Sequence, residues 1–507
     1  MFLSFPLFER SPKLGDAAAA LLGLLMPLAF APVGWFPLAV LMPAGLIALW
    51  EEITPRRCFW RGWLFGIGMF GAGVSWVYIS IHTYGRAAVP VALLATLLLV
   101  AVLALFPALT GFLGSRLVPG HPWRRIGLVI PAAWILLEWV RGWLFTGFPW
   151  LDIGYSQIDS PVAGFAPLLG IYGVGALVMV SAGGLFLLVS SRGVVRWWTA
   201  TLLIIVWLSG AWTSQFSWTE SRGSPLQISI VQGNIPQEQK WLPALQQETV
   251  QRYLELTENH WDQDLVVWPE TAIPLFYHEV KYGLIPELEA IARQTNTDLI
   301  TGIPILELDQ WGVYNTVMSL GESGGFYRKQ HLVPFGEYIP MRRWLGDLLA
   351  FFTIPLGDFN RGSAHQPLLR AAGYPMGTSI CYEIAFGNEI IRSLPAAAWL
   401  VNVSNDGWFG DSLAPHQHLE MARMRALETS RYLLRATNTG ISALIDPKGR
   451  VVALAPQFEA AVVEGTIIPL AGATPYVRFG DWPVIIGAFF LFMGCVLLER
   501  WRGIRNV

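Results

Sequence analysis

The chain has 507 residues, 53% of them hydrophobic and 14% charged, with a formal net charge of −2. Soluble domains run nearer to about a quarter charged, so part of this chain is expected in lipid. No basic tract and no nucleic-acid motif occurs, which excludes a nucleic-acid partner.

The apolar residues are segregated. A bilayer-spanning helix needs about 20 of them, and eight stretches qualify in chain order: 15–31, 34–50, 60–81, 88–114, 126–145, 162–190, 197–216 and 482–499. The turn at Pro32, Val33 and Gly34 predicts a tight hairpin between the first two. Ala29-Phe30-Ala31 resembles a signal-peptide cleavage site, but Pro32 directly after it suits a protease poorly. Trp at span ends suits the membrane interface, and Gly lets helices pack closely. Glu138 and Arg141, three apart on the fifth span, are placed to pair on one face. The aromatic, Pro- and Gly-broken stretch 147–157 reads either as a segment lying in the interface or as a simple connector.

Lys and Arg placement sets the orientation. With the N-terminus inside, inner segments carry Arg10, Lys13, Arg56, Arg57, Arg61, Arg116, Arg124, Arg125, Arg192, Arg196, Arg500, Arg502 and Arg505, whereas the short outer loops carry only Arg86 and Arg141. A domain after seven crossings then lies on the outer face. The expected organisation is a membrane domain of seven helices over 1–220, a globular domain over 221–475, and an eighth helix with its tail over 476–507. Of three cysteines, Cys58, Cys381 and Cys495, only Cys381 falls in the globular domain, which therefore holds no internal disulfide.

That domain alternates strand and helix patterns. Residues 226–232 read as a strand, 241–262 as a helix, 264–268 as a strand and 283–296 as a helix. A strand over 298–303 follows, then a hairpin, 313–320 with 325–333, around Gly321-Glu322-Ser323-Gly324. After an aromatic insert, an apolar strand leads to Cys381. A strand over 398–404, a helix over 415–433, and strands over 440–446 and 450–455 complete the pattern, which predicts an α/β layered core. The insert 344–356 suits either a lid dipping into the interface or a packed core helix.

Three strand ends carry chemistry. Asp264-Leu265-Val266-Val267-Trp268-Pro269-Glu270 ends in a carboxylate, and the segment around Tyr327-Arg328-Lys329 supplies an ammonium. Pro375-Met376-Gly377-Thr378-Ser379-Ile380-Cys381 ends at a thiol. A lone cysteine is more often buried and inert, and an isolated Glu or Lys is usually a surface charge. Strand ends, however, gather into one cleft. A base, a fixed cation and a nucleophile together suit acyl transfer through a thioester.

The order Trp268-Pro269-Glu270, Lys329, Ile380-Cys381-Tyr382-Glu383 resembles the Glu-Lys-Cys triad of the nitrilase superfamily. Gly233-Asn234-Ile235-Pro236-Gln237, Leu332-Val333-Pro334-Phe335-Gly336-Glu337 and Asn405-Asp406-Gly407-Trp408-Phe409-Gly410 extend the likeness. The spans narrow it to the superfamily's membrane-embedded branch, the apolipoprotein N-acyltransferase family. The resemblance implies a multi-span α-helical membrane domain plus an α/β nitrilase-like αββα sandwich on the periplasmic side of the inner membrane. It implies Glu270 as base and acid, Lys329 as oxyanion cation and Cys381 as nucleophile, with Trp241, Glu337, Tyr382 and Glu383 in supporting or substrate-binding positions. The implied acyl donor is a phospholipid (phosphatidylethanolamine, sn-1 chain) and the acceptor a diacylglyceryl apolipoprotein, with no cofactor and no metal. A membrane-tethered amidase would use the same triad but needs one span rather than eight. A transporter would place ionisable residues at mid-membrane, whereas here they cluster at span ends.

Overall fold

The computed structural model describes residues 11–119, 121–307, 312–339 and 358–505. The insert 344–356 lies outside them. The chain divides into two compact units: one runs to Ser75, then over Leu93–Phe216 and from Arg478 onward, and the other comprises Trp76–Ala92 and Ser217–Val477.

Helices occupy all eight apolar stretches: Pro12–Leu25, Leu38–Trp50, Pro55–Gly73, Val89–Leu103 continued by Leu105–Leu117, Ile130–Arg141, Ala166–Ser190, Val194–Thr213 and Trp482–Arg505. Among the described residues five are long and apolar enough to cross a membrane, and a sixth qualifies if Pro55–Gly73 and Trp76–Tyr84, bent by 52°, count as one span. Leu38–Trp50 has only 13 residues and Ile130–Arg141 only 12, short of the roughly 20 a crossing takes.

Within the first unit, ionic groups are paired wherever they are buried. Arg61 donates to Asp16 at 3.3 Å and to the Leu49 carbonyl at 2.6 Å. The expected Glu138–Arg141 pair is loose, at 3.8 Å, because Arg141 takes Asp152 at 2.6 Å instead. Glu138 accepts from the Trp134 indole at 2.9 Å and the Ile153 amide at 3.0 Å. Asp152 comes from the 147–157 stretch, which is neither interfacial nor a mere connector. Trp150, Leu151 and the turn Ile153–Gln157 are buried. Gly154 makes this possible, since a Cβ there would stand 2.4 Å from the Ile171 carbonyl oxygen. The aromatic content that reads as interfacial in sequence is core packing here.

The second unit is built on two six-stranded sheets. Its strands are β1 (Leu226–Gln232), β2 (Leu265–Val267), β3 (Asp298–Glu307), β4 (Gly312–Leu320), β5 (Gly325–Arg328), β6 (Leu369–Ala371), β7 (Tyr374–Ile380), β8 (Trp399–Ser404), β9 (Leu433–Thr437), β10 (Ala443–Ile445), β11 (Val451–Leu454) and β12 (Ala461–Ile467). One sheet has the order β12-β1-β2-β3-β4-β5, the other β11-β10-β9-β8-β7-β6. In each, three central strands run parallel, β1-β2-β3 and β7-β8-β9, and antiparallel strands flank them.

Side-chain alternation explains the layers. Ile228, Ile230, Val267, Ile300 and Val317 of the first sheet share one core with Met376, Ile380, Trp399, Val401, Val403 and Leu434 of the second. The opposite face of the first sheet, including Val231, Val266 and Leu299, packs on Val250, Tyr253, Ile285 and Leu288 of the helices Gln246–Thr257 and Leu284–Thr295. Leu400, Leu433 and Ala443 of the second sheet pack on Ala422 and Ala426 of the helix Ala414–Thr429. The result is an αββα sandwich. Trp76–Tyr84 joins this unit through the Trp76 ring, 4.9 Å from that of Phe409, and Ser80, which donates to the Trp408 carbonyl at 2.8 Å.

Four elements differ from the sequence expectation. The helix expected over 415–433 stops at Thr429, where Ser430 turns left-handed at φ 49°, and its last residue, Leu433, opens β9. That strand, Leu-Leu-Arg-Ala-Thr, is buried on both faces, so it lacks the alternation that marks a strand. Strands β6, β9 and β12 were not expected. β12 closes the first sheet beside β1 in antiparallel register from Ala461↔Gln232 to Ile467↔Leu226.

Trp399 is fully buried between the sheets. Trp399→Ala is expected to cost about 3–5 kcal/mol, read as a lowered midpoint of thermal unfolding of the detergent-solubilised protein followed by tryptophan fluorescence.

Candidate active site

Glu270, Lys329 and Cys381 each stand one to three residues beyond a strand, β2, β5 and β7 respectively. Glu270 is fixed by close packing on β3. A Cβ at Gly302 would lie 2.2 Å from the Thr271 nitrogen and 2.7 Å from the Glu270 Cα, so only glycine admits the approach. The Lys329 amide donates to the Asn315 carbonyl of β4 at 2.8 Å. Cys381 sits at φ 51°, a left-handed conformation that a residue with a Cβ adopts at some cost and that turns the chain sharply out of β7.

The cluster is buried and its charges are matched. Lys329 Nζ is 2.9 Å from Glu337 and 3.8 Å from Glu270 Oε1. Burial alone would lower the Lys329 pKa, but Glu337 and Glu270 outweigh it and hold the ammonium above its ordinary range. Asn315 Nδ2 bridges the carboxylates, donating to Glu270 Oε1 at 2.6 Å and Glu337 Oε1 at 3.1 Å. Glu337 Oε2 accepts from the Val333 amide at 2.8 Å. One buried oxygen, Glu270 Oε2, has no hydrogen-bond partner among the described residues. Burial, with Glu270 beside it, pushes the Cys381 thiol up to about 12, against the pull of Lys329. Cys381 therefore rests as a neutral thiol, and ionising it takes a base.

Glu383 ties two of the three segments together. Its Oε1 accepts from the Gln330 and His331 amides at 2.6 and 3.0 Å, and its Oε2 from the Ile380 amide at 2.7 Å and the Tyr327 hydroxyl at 3.1 Å. The residues after Lys329 and before Cys381 thus share one carboxylate. Burial raises Glu383 to about 7, against the pull of the three backbone amides and the Lys329 charge. The Tyr382 ring meets His331 and Phe386 edge-on. Trp241 is half-buried and takes no part in the cluster's hydrogen bonds. Its neighbour Lys240 does: Nζ is buried and donates to the Glu270 carbonyl at 2.9 Å. Burial lowers Lys240 to about 8.

Sequence reasoning missed Asn315 and Lys240. Asn315 carries a signal, as an amide inside the mostly apolar strand Gly312–Leu320. Lys240 carries none, for it stands in a polar turn where a lysine is normally solvated. Asn315→Leu removes a donor from two buried carboxylates. It is expected to slow single-turnover acylation of Cys381 by a p-nitrophenyl ester about 10- to 100-fold, as p-nitrophenol release would record.

Comparison with known proteins agrees with this architecture. Residues 22–184 match the apolipoprotein N-acyltransferase N-terminal domain, and residues 227–476 match the carbon-nitrogen hydrolase family. The chain is 49% identical over 465 residues to the apolipoprotein N-acyltransferase of Methylococcus capsulatus, covering 91% of this chain and 92% of that one. To that of Coxiella burnetii it is 43% identical over 482 residues, covering 95% and 99%. To that of Nitrosomonas europaea it is 45% identical over 484 residues, covering 95% and 96%. A hydrolase-type αββα sandwich with a buried Glu-Lys-Cys cluster, carried on a chain of apolar helices, is thus the architecture of an acyltransferase, and the chain belongs to the apolipoprotein N-acyltransferase family.

Proposed function

We propose that Cys381, Glu270 and Lys329 transfer an acyl chain from a phospholipid to the α-amine of the N-terminal diacylglyceryl-cysteine of an apolipoprotein, through a thioester on Cys381. The observation that carries the roles is the unpaired Glu270 Oε2 in a cluster whose other charged atoms are all partnered. A buried, unsatisfied carboxylate oxygen beside a thiol of raised pKa is a proton acceptor with nothing else to bind.

Glu270 takes the proton from Sγ, and the thiolate attacks the ester carbonyl. The oxygen that becomes negative lies against Lys329 and the Tyr382 N–H. Collapse breaks the ester C–O bond, Glu270 returns its proton to the departing lysophospholipid oxygen, and a thioester remains. The acceptor amine then attacks the thioester, Glu270 removes its proton and passes it to the leaving sulfur, and an amide forms. Glu337 neutralises and aims Lys329, Glu383 locks the turn around Cys381, and Trp241 lines the acyl or headgroup pocket. The donor is phosphatidylethanolamine, through its sn-1 chain.

The arginine asymmetry supports a chain with eight crossings in the inner membrane: seven within 1–220, the catalytic domain over 221–475 on the periplasmic side, and the last within 476–507. Placing Trp76–Tyr84 in the same span as Pro55–Gly73 brings the helices long enough to cross to six among the described residues, and the shorter Leu38–Trp50 and Ile130–Arg141 would supply the other two.

Purified protein given phospholipid alone should accumulate an acyl adduct on Cys381, seen by mass spectrometry, and Cys381→Ser should keep the fold and lose it. Ammonia release from small amides without an adduct from phospholipid would favour the amidase reading and overturn this one. A diacylglyceryl lipopeptide with a free amine should discharge the adduct, and its N-acetylated form should not. Because one thiol serves both substrates in turn, double-reciprocal plots should be parallel. Intersecting lines, with no lysophospholipid before acceptor is added, would show a ternary complex.

A further inference from the structure

Around the Cys381 carbonyl, three elements bring polar groups to one wholly buried point. Asn402 lies in β8, Asp406 just after it, His418 on the helix Ala414–Thr429 and Arg435 in β9, and His418, Arg435 and Asn402 have no solvent exposure. His418 Nε2 is 3.2 Å from the Cys381 carbonyl oxygen, and Asn402 Nδ2 is 3.4 Å from the same atom. His418 Nδ1 is 3.0 Å from Asp406 Oδ1 and 2.9 Å from Arg435 Nη2. Arg435 Nη2 also donates to Asp406 Oδ2 at 2.8 Å, and Ser404 Oγ donates to Asp406 Oδ1 at 2.8 Å.

The carbonyl contact fixes one ring proton. A carbonyl oxygen only accepts, so Nε2 carries it. Asp406 and Arg435 already cancel, and a neutral imidazole keeps the buried cluster uncharged. Nδ1 then accepts from Arg435, and Asp406 holds the ring through Arg435, to which it is paired, rather than through a hydrogen bond of its own to Nδ1. Burial, reinforced by the Arg435 charge, lowers the His418 pKa against the pull of Asp406, in keeping with a neutral ring.

We propose that His418, aligned by Arg435 and Asp406, is a positioning residue that anchors the Cys381 carbonyl and thereby aims the Tyr382 N–H at the developing oxyanion. The reason is the peptide plane. In a trans peptide the C=O and the following N–H point in opposite directions. Drawing the Cys381 oxygen into the buried cluster therefore turns the Tyr382 N–H away from it. The same bond steadies the left-handed Cys381, whose φ of 51° is one that surrounding contacts must maintain. This inference rests on the acyl-transfer reading above, in which that N–H faces the tetrahedral intermediate.

The test compares two reactions of the same sulfur in the full-length, detergent-solubilised protein. Acylation by phospholipid builds an oxyanion, and alkylation by iodoacetamide does not. His418→Asn leaves a polar group for Arg435 and Asp406 but is too short to reach the carbonyl, whereas the His418→Gln amide reaches to about the position of Nε2. His418→Asn is expected to slow single-turnover acylation about 100-fold, in the range typical of losing one oxyanion donor. Its alkylation rate should change less than about threefold and its phospholipid KM should hold. His418→Gln should recover acylation to within about tenfold of the parent. If His418→Asn does not fold, His418→Leu replaces it with the same expectation. Equal losses in acylation and alkylation, parental acylation in His418→Asn, or a Gln variant as slow as Asn would overturn the proposal. Failure of all three variants to fold would assign His418 to stability alone and overturn it too. Absence of a phospholipid adduct in the parent protein would instead defeat the acyl-transfer reading, so the two failures are distinguishable.

Discussion

A buried ammonium has to be neutralised where it stands, and Lys329 is almost completely buried. Glu337 and Glu270 supply the counter-charge, and much of the site follows from that need. Two carboxylates close to one cation repel each other, so Asn315 stands between them and donates to both. Glu337 is bound by Lys329, Asn315 and the Val333 amide, which commits it to holding the cation. Glu270 is bound through one oxygen only, and Oε2 has no hydrogen-bond partner among the described residues. Two chemically identical groups thus differ in how many donors each has been given.

The second constraint is the turn at Cys381. A strand that went on in ordinary extended backbone would carry the chain along the sheet, with its last side chain turned to one face. The left-handed residue swings the chain away, and the structure holds it there from two directions. Glu383 gathers amides from before Cys381 and after Lys329, while Asn402 of β8 and His418 of the helix Ala414–Thr429 meet the Cys381 carbonyl. Strain at such a position persists because neighbouring contacts over-determine it.

The apolar unit obeys the same electrostatic rule in a different medium. Arg61 with Asp16, and Arg141 with Asp152, are pairs formed between segments distant in sequence. An unpaired guanidinium in a low-dielectric interior would be costly. The 147–157 stretch folds inward because it carries the partner that Arg141 requires.

Sequence alone determined the segregation of apolar helices from an α/β domain, because hydrophobic run length and periodicity are local properties. Most strands were legible for the same reason, as were the three strand ends that bear Glu270, Lys329 and Cys381 and the motifs around them. What tertiary structure decided was every matter of partnership. Buried on both faces, β9 shows no alternation by which to tell a strand from a helix end, and only its place between β8 and β10 settles it. β12 becomes a strand through pairing with β1, more than two hundred residues away. Arg141 chose Asp152 over the helical neighbour Glu138 because the nearer carboxylate oxygen in space was not the nearer one in sequence. The supporting residues of the site divide along the same line. Glu337 and Glu383 lie in motifs beside Lys329 and Cys381. Asn315, Lys240 and His418 reach the site from other strands, turns and helices, and burial and hydrogen-bond geometry, which only the folded chain possesses, give them their place.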